Sequence, residues 1–179
     1  LLQRPGAALS AAPAGGVQAQ ATALLQQRLP TATVDRDPVL GTPRMVRASR
    51  GFLTGPAGRG GAISDQTLAS FPRDDRHRVL KAFVSEHAGL FGFGAEALES
   101  AALQRDYVDQ HNGLRTVQYH QSLGDIPVFE GVLQAHISAR EELVRVSSRF
   151  LANPSGSAAR GAWNWTDLMA RPPVSAADA

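Results

Sequence analysis

Histidines are the residues of this sequence best suited to bind a metal ion, and there are five of them. They are His77, His87, His111, His120 and His136. A zinc peptidase uses the pattern H-E-x-x-H on a helix, because both imidazoles must reach one metal ion while the glutamate activates a water molecule. That pattern does not occur here. His120 and His136 could face each other across adjacent strands, but a third ligand is not evident, so solvated or partner-facing histidines are the preferred interpretation.

Other catalytic patterns are missing as well. There is no cysteine, which excludes thiol catalysis, disulfides and cysteine-based zinc sites, and no G-x-S-x-G nucleophile motif. Residues 92–97 (GFGAEA) have the spacing G-x-G-x-x-A, but a dinucleotide loop opens a helix, whereas this segment is predicted to end one. Residues 55–61 lack the G-K-[ST] ending of a phosphate loop, and Glu141 and Glu142 are predicted to be solvated in a turn. We therefore expect no catalytic residues in this chain.

The composition is that of an ordinary folded domain. The 179 residues are 43% hydrophobic, which suffices for one moderate core. The net charge is only +2 and no basic tract occurs, which argues against nucleic acid as a partner. No apolar run approaches the roughly 18 residues needed to cross a bilayer, so no membrane partner is expected. The first residues do not form a signal peptide, so an exported protein would have lost its signal or carry it upstream.

The elements that must position these residues begin with a weakly patterned N-terminal region. Residues 1–16 are predicted to be a flexible leader, and a short amphipathic helix follows, ended by Pro30. The apolar stripe of this helix is Val17, Ala21, Leu24, Leu25 and Leu29. Residues 31–43 are predicted to be a connector and residues 45–53 a strand.

The clearest helix begins near Asp74. Ser70 or Asp74 can cap it, Pro72 is acceptable in a first turn, and Asp74 and Asp75 complement the helix dipole. Its buried stripe is predicted to be Val79, Leu80, Phe83, Val84, His87 and Leu90 or Phe91. Three glycines then end it: Gly89, Gly92 and Gly94.

Strands follow this helix without another helix between them. They are predicted over residues 98–108, 114–121, 126–137 and 143–150. Asn112-Gly113 is a strong hairpin signal between the first two, and a turn at residues 122–125 joins the second to the third. One main helix followed by about four antiparallel strands predicts the α+β class, with the helix packed on the sheet.

The third of these strands shows the clearest alternation, which is typical of a sheet with one buried side. One face carries Phe129, Gly131, Leu133, Ala135 and Ile137, and the other carries Val128, Glu130, Val132, Gln134 and His136. Pro127 has no N–H to donate, so it belongs at the start of the strand or at an edge.

The same hairpin carries a family resemblance. Gln118, Gln121, the run Ile126-Pro127-Val128-Phe129 and Gly131 resemble the Q-x-x-x-G-I-P-V-F-x-G stretch of the fungalysin/thermolysin propeptide domain. In that family Gly is usual at the position of Asp125, and Gly or Glu occurs at the position of Glu130. The resemblance extends over about residues 74–150, and we expect the domain to cover residues 17–151.

The resemblance implies both a fold and a function. The fold would be cystatin-like, with a curled antiparallel sheet around the main helix. The domain would be the N-terminal part of the pro-region of a secreted zinc metalloprotease from a bacterial precursor. It would act as inhibitor and intramolecular chaperone of the protease catalytic domain until it is cleaved on maturation. The zinc and its ligands would lie in that downstream domain, and residues 152–179 would be a linker and the start of a second, PepSY-like half.

A partner-binding surface is the expected functional site. It is predicted to comprise Gln118, His120, Gln121, Ile126, Pro127, Val128, Phe129, Glu130, Trp163 and Trp165. The spacing of Trp163 and Trp165 puts both rings on one side of an extended segment, where they either anchor onto their own core or contact another protein. The alternative function is a free-standing cystatin-like module that binds or inhibits a separate protein.

Overall fold

The computed structural model describes residues 16–38 and 41–171. Their central element is a sheet of six antiparallel strands. The strands are β1 (Ala32–Arg36), β2 (Pro43–Ala48), β3 (Ala102–Val108), β4 (Arg115–Leu123), β5 (Ile126–Ile137) and β6 (Leu143–Ser148). Their order across the sheet is β1-β2-β6-β5-β4-β3. The α+β class is confirmed, but the expected count of about four strands is wrong. The predicted connector 31–43 contains β1, which pairs with β2 from Ala32 opposite Ala48 onward.

Seven helices accompany the sheet in the described ranges. They are α1 (Gly16–Arg28), α2 (Asp65–Ala69), α3 (Arg78–Glu86), α4 (Ala88–Phe91), α5 (Glu96–Glu99), α6 (Pro154–Gly161) and α7 (Trp165–Ala170). The predicted first helix is confirmed, but its stripe is only partly right, because Leu25 is buried while Val17 and Leu24 are exposed. Most of the predicted leader lies outside the described residues, as does the end of the chain beyond Arg171.

The main helix is two helices, α3 and α4, separated at His87. Every residue of its predicted stripe is buried. Neither proposed cap is correct, because the N-cap position is His77 and Ser70 ends α2 instead. Gly92 ends α4 in the left-handed conformation with φ of 81°, which supports the prediction that this glycine-rich segment closes a helix.

One hydrophobic core lies between the helices and the inner face of the sheet. Its aromatic centre is a row of rings with centroids 5.6 to 6.0 Å apart, running Phe83, Phe91, Phe93 and Phe150. Leu133, Ala135 and Ile137 of β5 complete the core from the sheet side, as the alternation predicted. The position of β5 is therefore set by a packed face.

The strand predicted over residues 98–108 is shorter than expected, because α5 occupies its beginning. The Asn112-Gly113 hairpin between β3 and β4 is confirmed. Gly113 has φ of 69°, and the Asn112 side chain accepts a hydrogen bond from the backbone N–H of Leu114 at 2.9 Å.

The extended segment expected around the tryptophans is wrong, because two helices follow Leu151. The assignment of residues 152–179 to a linker and the start of a second half stays a prediction. Asn153 caps α6 by accepting a hydrogen bond from the N–H of Gly156 at 2.7 Å. Pro154 occupies the first turn, where a backbone N–H would have no acceptor within the helix. Trp165 begins α7. Every described side chain of α6 and α7 is at least partly exposed, so this helix pair adds nothing to the core.

Candidate partner-binding surface

The register between β4 and β5 places two of the predicted site residues, Gln118 and His120, on the outer face of the sheet, which points away from the core. Gln118 lies opposite Gln134, and His120 lies opposite Val132. Gln121 points the other way and is buried, and its amide group exchanges two 2.9 Å hydrogen bonds with the backbone of Leu151. Gln121 therefore holds the segment after β6 to β4, and only Gln118 and His120 of these three are partly exposed on the outer face.

The register changes abruptly beyond His120. The next paired residues are Ser122 and Pro127, so that Gln121 alone stands opposite residues 128–131 of β5. We call residues 128–131 the β5 bulge. Glu130 in this bulge has φ of 54°, a left-handed conformation that a residue with a side chain rarely adopts.

The bulge reverses the expected position of Phe129. Alternation predicted that Phe129 shares the inner face with Leu133, but its side chain is 91% exposed. The extra residues break the two-residue period between Phe129 and Gly131, so the face assignment holds only from Gly131 onward. The placement of Phe129 on the inner face is thus wrong, and its place in the candidate surface is strengthened.

Gly131 is required by this geometry. A Cβ atom at this position would lie 2.9 Å from the Cβ of Val128 and 3.1 Å from its carbonyl oxygen. Side-chain atoms do not approach each other that closely, so any larger residue would force the bulge to open.

His120 holds the bulge from the side. Its Nε2–H donates to the carbonyl oxygen of Val128 at 2.9 Å, and its Nδ1 accepts from the side-chain amide of Gln104 at 2.8 Å. Gln118 in turn donates to the Oε1 atom of Gln104 at 3.2 Å. These contacts require the His120 ring to carry a proton on Nε2 and to accept at Nδ1.

The two histidines that could have shared a metal ion are not opposite each other. His136 lies opposite Thr116 and bonds to it through Nδ1 at 3.2 Å, while Arg145 donates to its Nε2 at 3.1 Å. Burial, and then the Arg145 charge, lower the pKa of His136. Among the described residues no group of three metal-ligating side chains was found.

An apolar groove of about 260 Å³ adjoins the hairpin tip. Its walls are Leu123, Ile126, Pro127 and Val128 on one side and Leu151, Pro154, Ser157, Ala158 and Met169 on the other. Phe129 and Trp163 are each 91% exposed beyond it, and Trp165 is partly exposed. The structure thus gathers the predicted Ile126, Pro127 and Val128 into one surface, whereas neither tryptophan lines the groove.

Residues 99–150 match the family model of the Fungalysin/Thermolysin Propeptide Motif. This segment, which we call the propeptide motif, is therefore similar to that family. The resemblance drawn from the hairpin is confirmed, although the match is shorter than the 17–151 predicted for the domain. Comparisons with curated proteins and with solved structures gave no match. No helix in the described ranges is long and apolar enough to cross a membrane.

The propeptide motif contains the β5 bulge and the side chains that contact it. It runs from the end of α5 to Phe150, and so includes strands β3 to β6 with Gln104, Gln118 and His120. Arg149, which forms an ion pair with Glu130, also lies within it. The groove wall formed by α6 and α7, and both tryptophans, lie outside it.

A second polar cluster lies on the inner side of the motif and has no signal in the sequence. The Tyr119 hydroxyl donates to Nδ1 of His77 at 2.5 Å, and Nε2 of His77 donates to Asp106 at 3.1 Å. Burial, then the charges of Asp75 and Asp106, raise the pKa of Tyr119 to about 12. A buried phenol with a raised pKa is a hydrogen-bond donor and a poor nucleophile, so the cluster ties α3 to β3 and β4.

A charged cleft of about 430 Å³ lies at the opposite end of the motif from the hairpin tip. Two of its arginines already have partners within the chain. Arg78 donates twice to the carbonyl oxygen of Leu68, at 3.0 and 2.8 Å, and Arg115 donates to both carboxylate oxygens of Asp106. The cleft is therefore a weaker candidate for ligand binding than the hairpin tip.

Proposed function

We propose that this chain is a propeptide domain that inhibits, and assists the folding of, a secreted zinc metalloprotease of the fungalysin/thermolysin type. The observation that carries this proposal is the propeptide motif over residues 99–150, which accounts for four of the six strands. The zinc ion and its ligands belong to the protease domain of the same precursor, and the chain is removed when the protease matures.

The surface of the chain supports a role in binding. Phe129 and Trp163 expose almost their whole side chains, while Ile126 and Leu168 are 49% and 39% exposed. Large exposed apolar side chains are typical of protein interfaces, because contact with a partner removes their apolar surface from water.

Covalent attachment gives such a surface its regulatory value. A domain joined to its partner binds at high effective concentration, so modest contacts suffice to keep the protease latent and to stabilise its native fold. Cleavage of the connection removes that advantage, and the propeptide can then dissociate.

Refolding of the protease tests this proposal. The mature metalloprotease domain encoded with this chain is denatured, then diluted into buffer with the chain, without it, or with an equal concentration of serum albumin. We expect a higher yield of folded protease with the chain, and lower peptidase activity in the same mixture until the chain is degraded. Equal yield and equal activity in all three samples would overturn the proposal. A free-standing inhibitor would instead lower activity without changing the yield.

A further inference from the structure

The β5 bulge is built to expose one side chain. A strand with unbroken alternation would bury Phe129 beside Leu133, yet the chain adopts a left-handed residue at Glu130 and a crowded glycine at Gly131. The outcome is a phenyl ring that is 91% exposed. Backbone strain that a fold retains at an exposed point is typical of a functional element.

Contacts at both of its ends also hold the bulge in this form. His120 bonds to the carbonyl oxygen of Val128 and is itself held by Gln104, to which Gln118 donates. At its other end Glu130 forms an ion pair with Arg149. A binding element ordered before contact loses less conformational entropy on binding than a flexible loop does.

We infer that Phe129 is the anchor by which this chain binds the protease domain, and that it enters an apolar pocket wide enough for one phenyl ring. This inference rests on the proposed function. The choice of partner follows from the extent of the propeptide motif, which includes the bulge and all its supports and stops before Trp163. The neighbouring Glu130 and Arg149 charges compensate each other, so the pocket on the partner needs no net charge.

His120 is a positioning residue for this anchor. Both ring nitrogens of its imidazole are engaged within the chain, and one of them sets the direction of the carbonyl oxygen that precedes Phe129. Loss of the imidazole frees the bulge to move, and the anchor must then be ordered during binding.

Binding of the protease domain to single variants of the whole chain tests the anchor. Phe129→Ala is expected to weaken binding by at least about tenfold, as an interface anchor does. Phe52→Ala removes another phenyl ring, 41% exposed and outside both the motif and the predicted surface, and is expected to change binding by less than about twofold. Unchanged melting temperatures show that both variants are folded.

Each outcome is informative. If the unaltered chain neither binds the protease nor changes its refolding yield, the proposed function fails. If it does both and Phe129→Ala binds equally well, the proposed function stands and the anchor is overturned. Sedimentation of the chain alone tests a second copy as the occupant, and self-association that disappears in Phe129→Ala would overturn the choice of partner.

A double-mutant cycle tests the positioning role. His120→Ala is expected to weaken binding severalfold in the unaltered chain and to have no further effect when Phe129 is already alanine. His120→Gln, whose amide can still donate to Val128, is expected to restore part of the affinity. Equal losses from His120→Ala in both backgrounds would show that His120 acts independently of the anchor.

Discussion

The two halves of β5 differ in strand pairing and in the burial of their side chains. From Gly131 to Ile137 the strand lies between β4 and β6, which pair with it on both sides, and its alternate side chains enter the core. From Ile126 to Glu130 only β4 accompanies it, and the regular pairing breaks. A strand that pairs on both sides and packs against the core can adopt only one register. A strand segment that pairs on one side can accommodate a bulge. The comparison shows that alternation predicts burial only where tertiary contacts enforce it.

The largest expected difference between the halves is in stability. Leu133→Ala leaves a cavity under the sheet and is expected to lower the free energy of unfolding by about 2–5 kcal/mol. Phe129→Ala, on the same strand but exposed, is expected to change it by less than about 0.5 kcal/mol. Urea denaturation of both variants measures the contrast. Similar losses in the two would mean that the distal half is also part of the core.

Two tyrosines, one on β4 and one on the neighbouring strand β3, extend the contrast to opposite faces of the sheet. Tyr119→Phe leaves the Nδ1 atom of buried His77 without a donor, so we expect a loss of about 1–3 kcal/mol in the free energy of unfolding. Tyr107→Phe, on the exposed side of β3, is the matched control and should cost less than about 0.5 kcal/mol. A Tyr119→Phe variant as stable as the control would show that the hydrogen bond from Tyr119 to His77 does not stabilise the fold.

Low pH is expected to lower the free energy of unfolding through the carboxyl of Glu86. Burial alone raises the pKa of this carboxyl, but hydrogen bonds from Thr67 and Ser64, with the Arg28 charge, outweigh it and lower the pKa from 4.5 to about 2. A carboxyl with a lower pKa in the folded state stabilises the fold above about pH 4.5, and this contribution is lost as the pH falls toward 2. This dependence belongs to the contacts among α1, α2 and α3, far from the bulge in the chain.

Glu86→Gln tests this dependence. We expect it to lower the free energy of unfolding by about 1–2 kcal/mol at pH 7, because hydrogen bonds to a charged acceptor are lost. The difference from the unaltered chain should close by about pH 2. Glu99→Gln, an exposed carboxylate in α5, serves as the control and should follow the unaltered chain throughout. A constant gap from pH 7 to pH 2 would contradict the assignment.

The smallest expected effect is also the most specific to the bulge. At Glu130, where φ is 54°, glycine should be more stable than alanine by about 1 kcal/mol. At Gln134, in the regular half of β5, alanine should be more stable than glycine by about 0.5–1 kcal/mol. Denaturation of the four variants measures the sign at each site. The same sign at both would mean that Glu130 is not held in a left-handed conformation in solution.

The pattern of apolar residues predicted much of the fold correctly. The stripe from Val79 to Phe91 is buried as expected, and the Asn112-Gly113 hairpin forms where its turn residues required it. β1 escaped prediction because its five residues mix charges with apolar side chains, and its pairing with β2 decides its structure. Helix α6 was not predicted because a Pro-Ser-Gly segment is typical of a linker.

By itself the sequence determined the α+β class, the core face of β5 beyond the bulge and the family resemblance of the hairpin. These follow from local spacing, which acts over a few residues. Tertiary structure alone decided that Phe129 faces outward, that His120 and Gln104 hold the bulge, and that Tyr119 meets His77. All three depend on strand register and on packing between separate elements, which no local pattern specifies.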